Sequence, residues 1–351
     1  MSSATANGRH QLAMVFDLNK CLGCHSCTVA CKTQWTSAPG MESQWWNVVN
    51  TMPGRGTPRD VFSHGGGYDA AGEPIPGVLP SSSEFGQAWA FEQTSVFSSG
   101  SGVRKPMHPL ENDGTSPSWG PNWDEDLGGG EYPHSYFFYL QQVCANCNKP
   151  ACLEACPRTA IYKREEDGIV LIDEDRCHGY RFCAEACPYK RVYFNEQRYV
   201  AQKCISCFPR LEAGVAPACI RQCPGRIRHI DYLDNEEGHV HKLVNVWKVA
   251  LPLRPDLGVE PNVFYVPPLL PPPFAENGEF DESRSRAPAE YLQELFGPGA
   301  DEALATIQQE REKVAAGGES ELMDLLISRD WNDLLGPFTE NPAELERPPR
   351  R

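Results

Sequence analysis

The sequence predicts an α+β chain in which two small cysteine-lined units, one nested in the other, carry a long irregular insertion and a helical C-terminal extension. Three observations predict this. All 15 cysteines fall into four groups. The middle two groups flank a short hairpin pattern, and the outer two stand on either side of that block. Residues 37–140 show little hydrophobic periodicity, whereas three runs between Glu290 and Ser328 have helical spacing.

Composition bounds the answer. At about 150 residues per domain, 351 residues allow two domains or one with large insertions. A 40% hydrophobic and 23% charged chain is folded rather than disordered. Its net charge of −15 argues against nucleic-acid binding through the phosphate backbone. With no run of 18 apolar residues, no membrane span is expected. Residues 141–230 are the exception to the acidity, with 14 basic and 10 acidic side chains, and they hold 11 of the cysteines. A basic surround is what clustered thiolates need for compensation.

Along the chain, Leu12–Asp17 reads as a strand entering the first group, Cys21, Cys24, Cys27 and Cys31. Residues 37–140 form an insertion rich in Gly, Pro, Ser and Trp, including Trp45, Trp46, Trp119 and Trp123. So long a stretch is ordered either by a partner interface or by a small internal core around its tryptophans. The second group is Cys144, Cys147, Cys152 and Cys156. The third is Cys177, Cys183 and Cys187, and the fourth is Cys204, Cys207, Cys219 and Cys223. Between the second and third, Ala160–Lys163 and Ile169–Asp173 flank a turn ending in Gly168, a hairpin pattern. Pro267, Pro268 and Pro271 to Pro273 predict an extended arm. Glu290–Leu295, Ala303–Val314 and Glu321–Ser328 predict helices of a solvated acidic tail. The expected division is 1–36 with 197–240 as one unit, 141–196 as the nested unit, 37–140 as insertion and 241–351 as arm and tail.

Three chemistries compete for the cysteines. Disulfides staple small secreted scaffolds, and these cysteines stand too close together for that. Zinc uses paired knuckles, which the fourth group alone resembles. The first group, C-x2-C-x2-C-x3-C, is the bacterial ferredoxin signature, in which three thiolates wrap one corner of a cubane and the fourth serves a neighbouring cluster. Small residues, Gly23 and Ser26, let the loop tighten, and the prolines after Cys156, Cys187 and Cys223 lead the chain away.

Four cubanes need one ligand more than this chain has. Writing the same frame over the third group puts Tyr180 at the vacant position. A phenol of pKa about 10 replaces a thiolate poorly, so a [3Fe–4S] cluster is expected there. A [4Fe–4S] cluster with an oxygen ligand is the alternative. His178 lies out of frame, and a supporting or surface role is expected for it.

Crossed sharing then assigns the ligands. One cluster takes Cys144, Cys147, Cys152 and Cys187, and the next takes Cys156, Cys177 and Cys183. The outer unit takes Cys21, Cys24, Cys27 and Cys223 for one cluster and Cys31, Cys204, Cys207 and Cys219 for the other. Closing such long loops costs entropy, so folding should depend on cluster insertion. The expected cofactors are three [4Fe–4S] clusters and one [3Fe–4S] cluster. No nucleophile, phosphate loop or carboxylate pair accompanies them, so no catalytic residue is expected.

From Leu12 to Tyr265 this pattern resembles the electron-transfer β subunits of dimethyl sulfoxide reductase-family molybdoenzymes. An aromatic residue at the place of Tyr180 resembles the branch containing respiratory nitrate reductase, where tryptophan is expected. The insertion and tail look most similar to the β subunit of ethylbenzene dehydrogenase. Dimethyl sulfide dehydrogenase, chlorate reductase and selenate reductase are near alternatives. The resemblance implies a heterotrimer with a molybdopterin α subunit and a haem b γ subunit. The cluster on Cys21 would face the first and the cluster on Cys156 the second. It also implies periplasmic location by co-export with a signal-bearing partner, since Met1–Lys20 shows no signal pattern, and a cytoplasmic one otherwise. A free-standing polyferredoxin and a zinc-stapled scaffold are the competing functions.

Overall fold

The computed structural model describes residues 10–88, 120–122, 128–281 and 284–341. Trp119 and Trp123 lie outside the described residues. In chain order the elements are β1 (Leu12–Asp17), α1 (Ser26–Trp35), β2 (Val48–Met52), β3 (Phe138–Gln142), α2 (Ala151–Glu154), β4 (Ile161–Lys163), β5 (Val170–Ile172) and α3 (Phe182–Ala186). They continue with β6 (Val192–Asn195), β7 (Val200–Lys203), α4 (Phe208–Leu211), α5 (Ala218–Arg221), β8 (Arg228–Tyr232), β9 (Leu251–Pro252) and β10 (Val263–Val266). Three helices close the chain: α6 (Ala289–Phe296), α7 (Ala300–Ala315) and α8 (Glu321–Ile327).

The strand Leu12–Asp17 is buried at every position because it is central. It pairs antiparallel with β8 and parallel with β10 in a sheet ordered β8-β1-β10-β9. Its alternation divides the protein's interior. Leu12, Met14 and Phe16 enter the main core, and Ala13 and Val15 face a second cluster with Ile307, Leu322 and Leu326. The helices α7 and α8 therefore cover the back of this sheet, while α6 packs into the main core. Each carries an apolar stripe, such as Leu292, Leu295 and Phe296, and turns its acidic residues outward. The expectation of a solvated tail is corrected accordingly.

Pairing also moves the expected boundaries. β6 and β7 form one antiparallel hairpin, so a division at residue 197 falls within its turn. β9 and β10 join the sheet of β1, so residues 251–266 belong with it rather than with an arm. The proline-rich stretch does run along the chain itself: Asn19 donates to the Pro267 carbonyl at 3.0 Å and accepts from the Leu269 amide at 2.7 Å. The hairpin β4–β5 forms with Ile161 opposite Ile172.

The insertion is anchored at both ends by pairing of β2 with β3. Trp45 and Trp46 pack with Cys31, Met41, Val48, Phe85 and Tyr193 in a small internal core, not on an outward face. Beneath Trp45, the Lys32 ammonium lies 4.7 Å from the ring centroid and donates to the carbonyls of Met41, Glu42 and Gln44. Trp45 is 1% exposed, and truncating such a side chain costs about 3–5 kcal/mol. Trp45→Ala should lower the thermal midpoint of the cluster-loaded protein clearly below wild type. An unchanged midpoint would mean that Trp45 supports nothing in this core.

Candidate metal centres

The four cysteine groups share a local backbone. The residue before the second ligand position has a positive φ in every group: Gly23 at 63°, Asn146 at 44°, Gly179 at 71° and Ser206 at 51°. A left-handed residue at such a turn aims successive N–H groups into one concavity, which suits an anionic cluster. At Gly23 nothing larger fits, because a Cβ would lie 2.6 Å from the Tyr139 ring. The third ligand position of each group then falls on a helix: Cys27 on α1, Cys152 on α2, Cys183 on α3 and Cys219 on α5. Cys31 continues α1 rather than starting a turn, one helical turn beyond Cys27.

Groups one and three match more closely still. Each has a second left-handed residue at the same offset, His25 at 56° and Arg181 at 67°, and each caps the following helix. Tyr180 thus occupies the backbone position that Cys24 occupies in group one. Its ring is 55% exposed and stacks with Phe182 at 6.1 Å and His178 at 6.4 Å.

The thiols gather in four neighbourhoods. Burial first, then the nearby thiols of Cys204, Cys207 and Cys219, push Cys31 well above the usual thiol range. Burial with Cys144 and Cys187 does the same to Cys147, and burial with Cys187 and Cys144 to Cys152. Cys183 is pushed up to about 12 by burial, then by Cys177 and Cys156. Cys21 is raised to about 11 by burial and lies with Cys27 and Cys223 around Arg228. Cys24 is exposed in the same loop, 3.5 Å from the Ser26 hydroxyl. Three of the neighbourhoods border one another in order, since Cys27 adjoins Cys31 and Cys219, and Cys204 adjoins Cys144. The fourth is joined to the third by the packing of α2, which carries Cys152, on α3, which carries Cys183.

The donor set fits a multi-iron cluster. None of the cysteines is paired in a disulfide. Among the described residues no three His, Cys, Asp or Glu side chains converge on a single-ion site, which bonds of about 2.3 Å to sulfur would demand. Backbone amides instead donate to the sulfurs: Ala201 to Cys177 at 3.3 Å, Ser206 to Cys204 at 3.4 Å, Ala160 to Cys156 at 3.4 Å and Arg191 to Cys187 at 3.5 Å. The indole of Trp35 donates to Cys207 at 3.0 Å. Such donors stabilise sulfur-borne negative charge.

Two buried cations escaped the sequence reading. Arg228 donates to Cys27 Sγ at 3.1 Å. Burial acts to lower the Lys203 ammonium, but the thiols of Cys144, Cys152 and Cys204 outweigh it and hold the group raised. Lys203 donates to the carbonyls of Val170 and Cys204. The only signal of either was the basic bias of residues 141–230. Asn146 was also missed: it accepts from the Val170 amide at 3.0 Å and donates to Ser206 Oγ at 2.6 Å, tying two cysteine loops together.

Residues 135–232 match the family model of a 4Fe-4S dicluster domain, a span that holds Cys144 to Cys223. The dimethylsulfide dehydrogenase subunit beta of Rhodovulum sulfidophilum is 52% identical, covering 91% of this chain and 96% of that protein. The selenate reductase subunit beta of Thauera selenatis is 49% identical over 93% and 99%. The respiratory nitrate reductase subunit beta of Haloferax mediterranei is 50% identical over 90% of each. The chain belongs to the iron–sulfur β subunits of dimethyl sulfoxide reductase-family molybdoenzymes. As such a β subunit it is an electron-transfer protein. Among the described residues no helix is long and apolar enough to cross a membrane.

The shared left-handed turn makes Gly23 the least replaceable loop residue. Gly23→Ala should cost the β subunit about one cluster's worth of iron, with the remaining clusters retained. Iron analysis beside EPR of the purified protein checks this, and full iron content would show that the loop tolerates a Cβ.

Proposed function

We propose that this β subunit carries four clusters in a line and relays electrons one at a time between a molybdopterin α subunit and a haem b γ subunit. The single observation that carries the reading is this succession of neighbourhoods, three bordering through their thiols and the fourth joined by the packing of α2 on α3. The ligand sets are Cys21, Cys24, Cys27 and Cys223; Cys31, Cys204, Cys207 and Cys219; Cys144, Cys147, Cys152 and Cys187; and Cys156, Cys177 and Cys183. The first three hold [4Fe–4S] clusters and the last a [3Fe–4S] cluster. The nested arrangement belongs to the same reading, supported by the packing of α1 on α5 and of α2 on α3.

The bound clusters supply reversible one-electron chemistry. The chain's own part is to fix their spacing, exclude water and set the charge around them. Nothing in that task specifies a substrate. Relatives named for dimethylsulfide, selenate and nitrate enzymes are each about half identical to this chain. Ethylbenzene as the partner's substrate rests on the likeness of the insertion and tail alone. Assay of the native complex against all four compounds decides it. The complex is placed in the periplasm, exported with its catalytic partner. A free polyferredoxin would instead elute alone, so copurification with two partner subunits is the expected result.

Low-temperature EPR of the air-oxidised complex, with iron and sulfide analysis, tests the cluster assignment. One near-isotropic [3Fe–4S] signal per β subunit is expected. Tyr180→Cys restores a thiol at the position equivalent to Cys24, so that signal should vanish and iron content rise by one. Persistence of the signal would remove Tyr180 as the cause of the missing iron.

A further inference from the structure

At the seam between the first two cysteine neighbourhoods sits one side chain whose charge is permanent. Arg228 opens β8 and is 1% exposed. A guanidinium does not deprotonate in proteins, so its positive charge is a fixed feature of that seam. Nη2 donates to Cys27 Sγ at 3.1 Å, and the positive charge of the same side chain acts on the nearby Cys219 thiol. Nη1 donates to Asn47 Oδ1 at 2.8 Å. The guanidinium stacks over the Phe16 ring, 4.4 Å from its centroid, which screens it from solvent on that side. The groups that favour its charge are Cys27, Cys219, Cys223 and Cys21, drawn from two different ligand sets.

We propose that Arg228 sets the reduction potentials of two adjacent clusters, the one on Cys21, Cys24, Cys27 and Cys223 and the one on Cys31, Cys204, Cys207 and Cys219. The inference rests on the ligand sets proposed above. Reduction brings one electron and no proton to either site, so it adds one negative charge beside a fixed positive one. In a buried seam that charge is poorly screened, and the reduced state gains more from it than the oxidised state does. Hydrogen bonds to ligand sulfur act in the same direction. One residue thereby raises both neighbouring potentials together. No cysteine of the other two ligand sets is among the groups that most favour the Arg228 charge.

The test is an EPR-monitored redox titration of the intact complex in wild type, Arg228→Met and Arg228→Lys. Arg228→Met should weaken reduction of the first two clusters tenfold or more, about 59 mV for a one-electron couple. The other two should stay where they are in wild type. Arg228→Lys keeps the charge and loses the fork, so it should shift the same two clusters by less. A first pair that does not move overturns the proposal, as does a uniform shift of all four. If Arg228→Met fails to assemble, Arg228→Lys decides alone by whether its shift is confined to that pair. A wild-type complex with fewer than four clusters by iron analysis overturns the ligand reading itself, which separates that failure from a failure of Arg228.

Discussion

The rest of the structure follows from one electrostatic constraint. Fourteen of the fifteen cysteine side chains are buried or half-buried, and burial alone drives thiols away from the anionic form in which they bind iron. Metal charge answers most of that cost, and the fold must answer the remainder. Left-handed turns do so by pointing amides at sulfur, and Trp35 does so with an indole N–H. Lys203 and Arg228 do so with full charges, delivered from the end of β7 and the start of β8. The basic balance of residues 141–230 within a chain of net charge −15 is the same constraint seen in composition.

Short hairpins and short helices are consequences of spacing ligands around clusters, and they cannot make a core unaided. The four-stranded sheet supplies it. β1 leads directly into the first cysteine loop and β8 follows directly from the fourth group, so their pairing brings sequence-distant loops together. The parallel partner β10 extends the sheet, and α7 and α8 bury its other side. Loop-closure entropy is met jointly by this sheet and by metal–sulfur bonds, which makes folding and cluster insertion one linked equilibrium.

What was legible in the sequence is what repeats. Cysteine spacing located every loop, an apolar run located β1, the turn at Gly168 located the β4–β5 hairpin, and helical spacing located α6 to α8 within a few residues. Long-range pairing was hidden, because Val263–Val266 has no local sign of lying beside Leu12–Asp17. The tail's acidity concealed its docking, since a helix with one apolar stripe and many outward carboxylates reads as solvated until its partner sheet is known. The same gap hid Trp45, whose pocket is lined by Cys31 and Tyr193 from elsewhere in the chain. Arg228 and Lys203 were invisible individually, because one arginine in a basic segment looks like any other until a sulfur is found 3.1 Å away.

The third cysteine group keeps the fold of the first while losing one thiol. Gly179 and Arg181 keep the left-handed conformations of Gly23 and His25, and α3 starts where α1 does relative to the loop. Only the side chain between them differs, a phenol turned to the surface instead of a thiol. Were Tyr180 a ligand, its hydroxyl would be turned inward, as that of Tyr189 is, which donates to the Leu253 carbonyl at 2.8 Å. Instead it stacks in an exposed aromatic row. On the proposed assignment, cluster type at this end of the relay is a property of one side chain on a retained loop, and on the proposal for Arg228 cluster potential at the other end is a property of a charge held by the sheet.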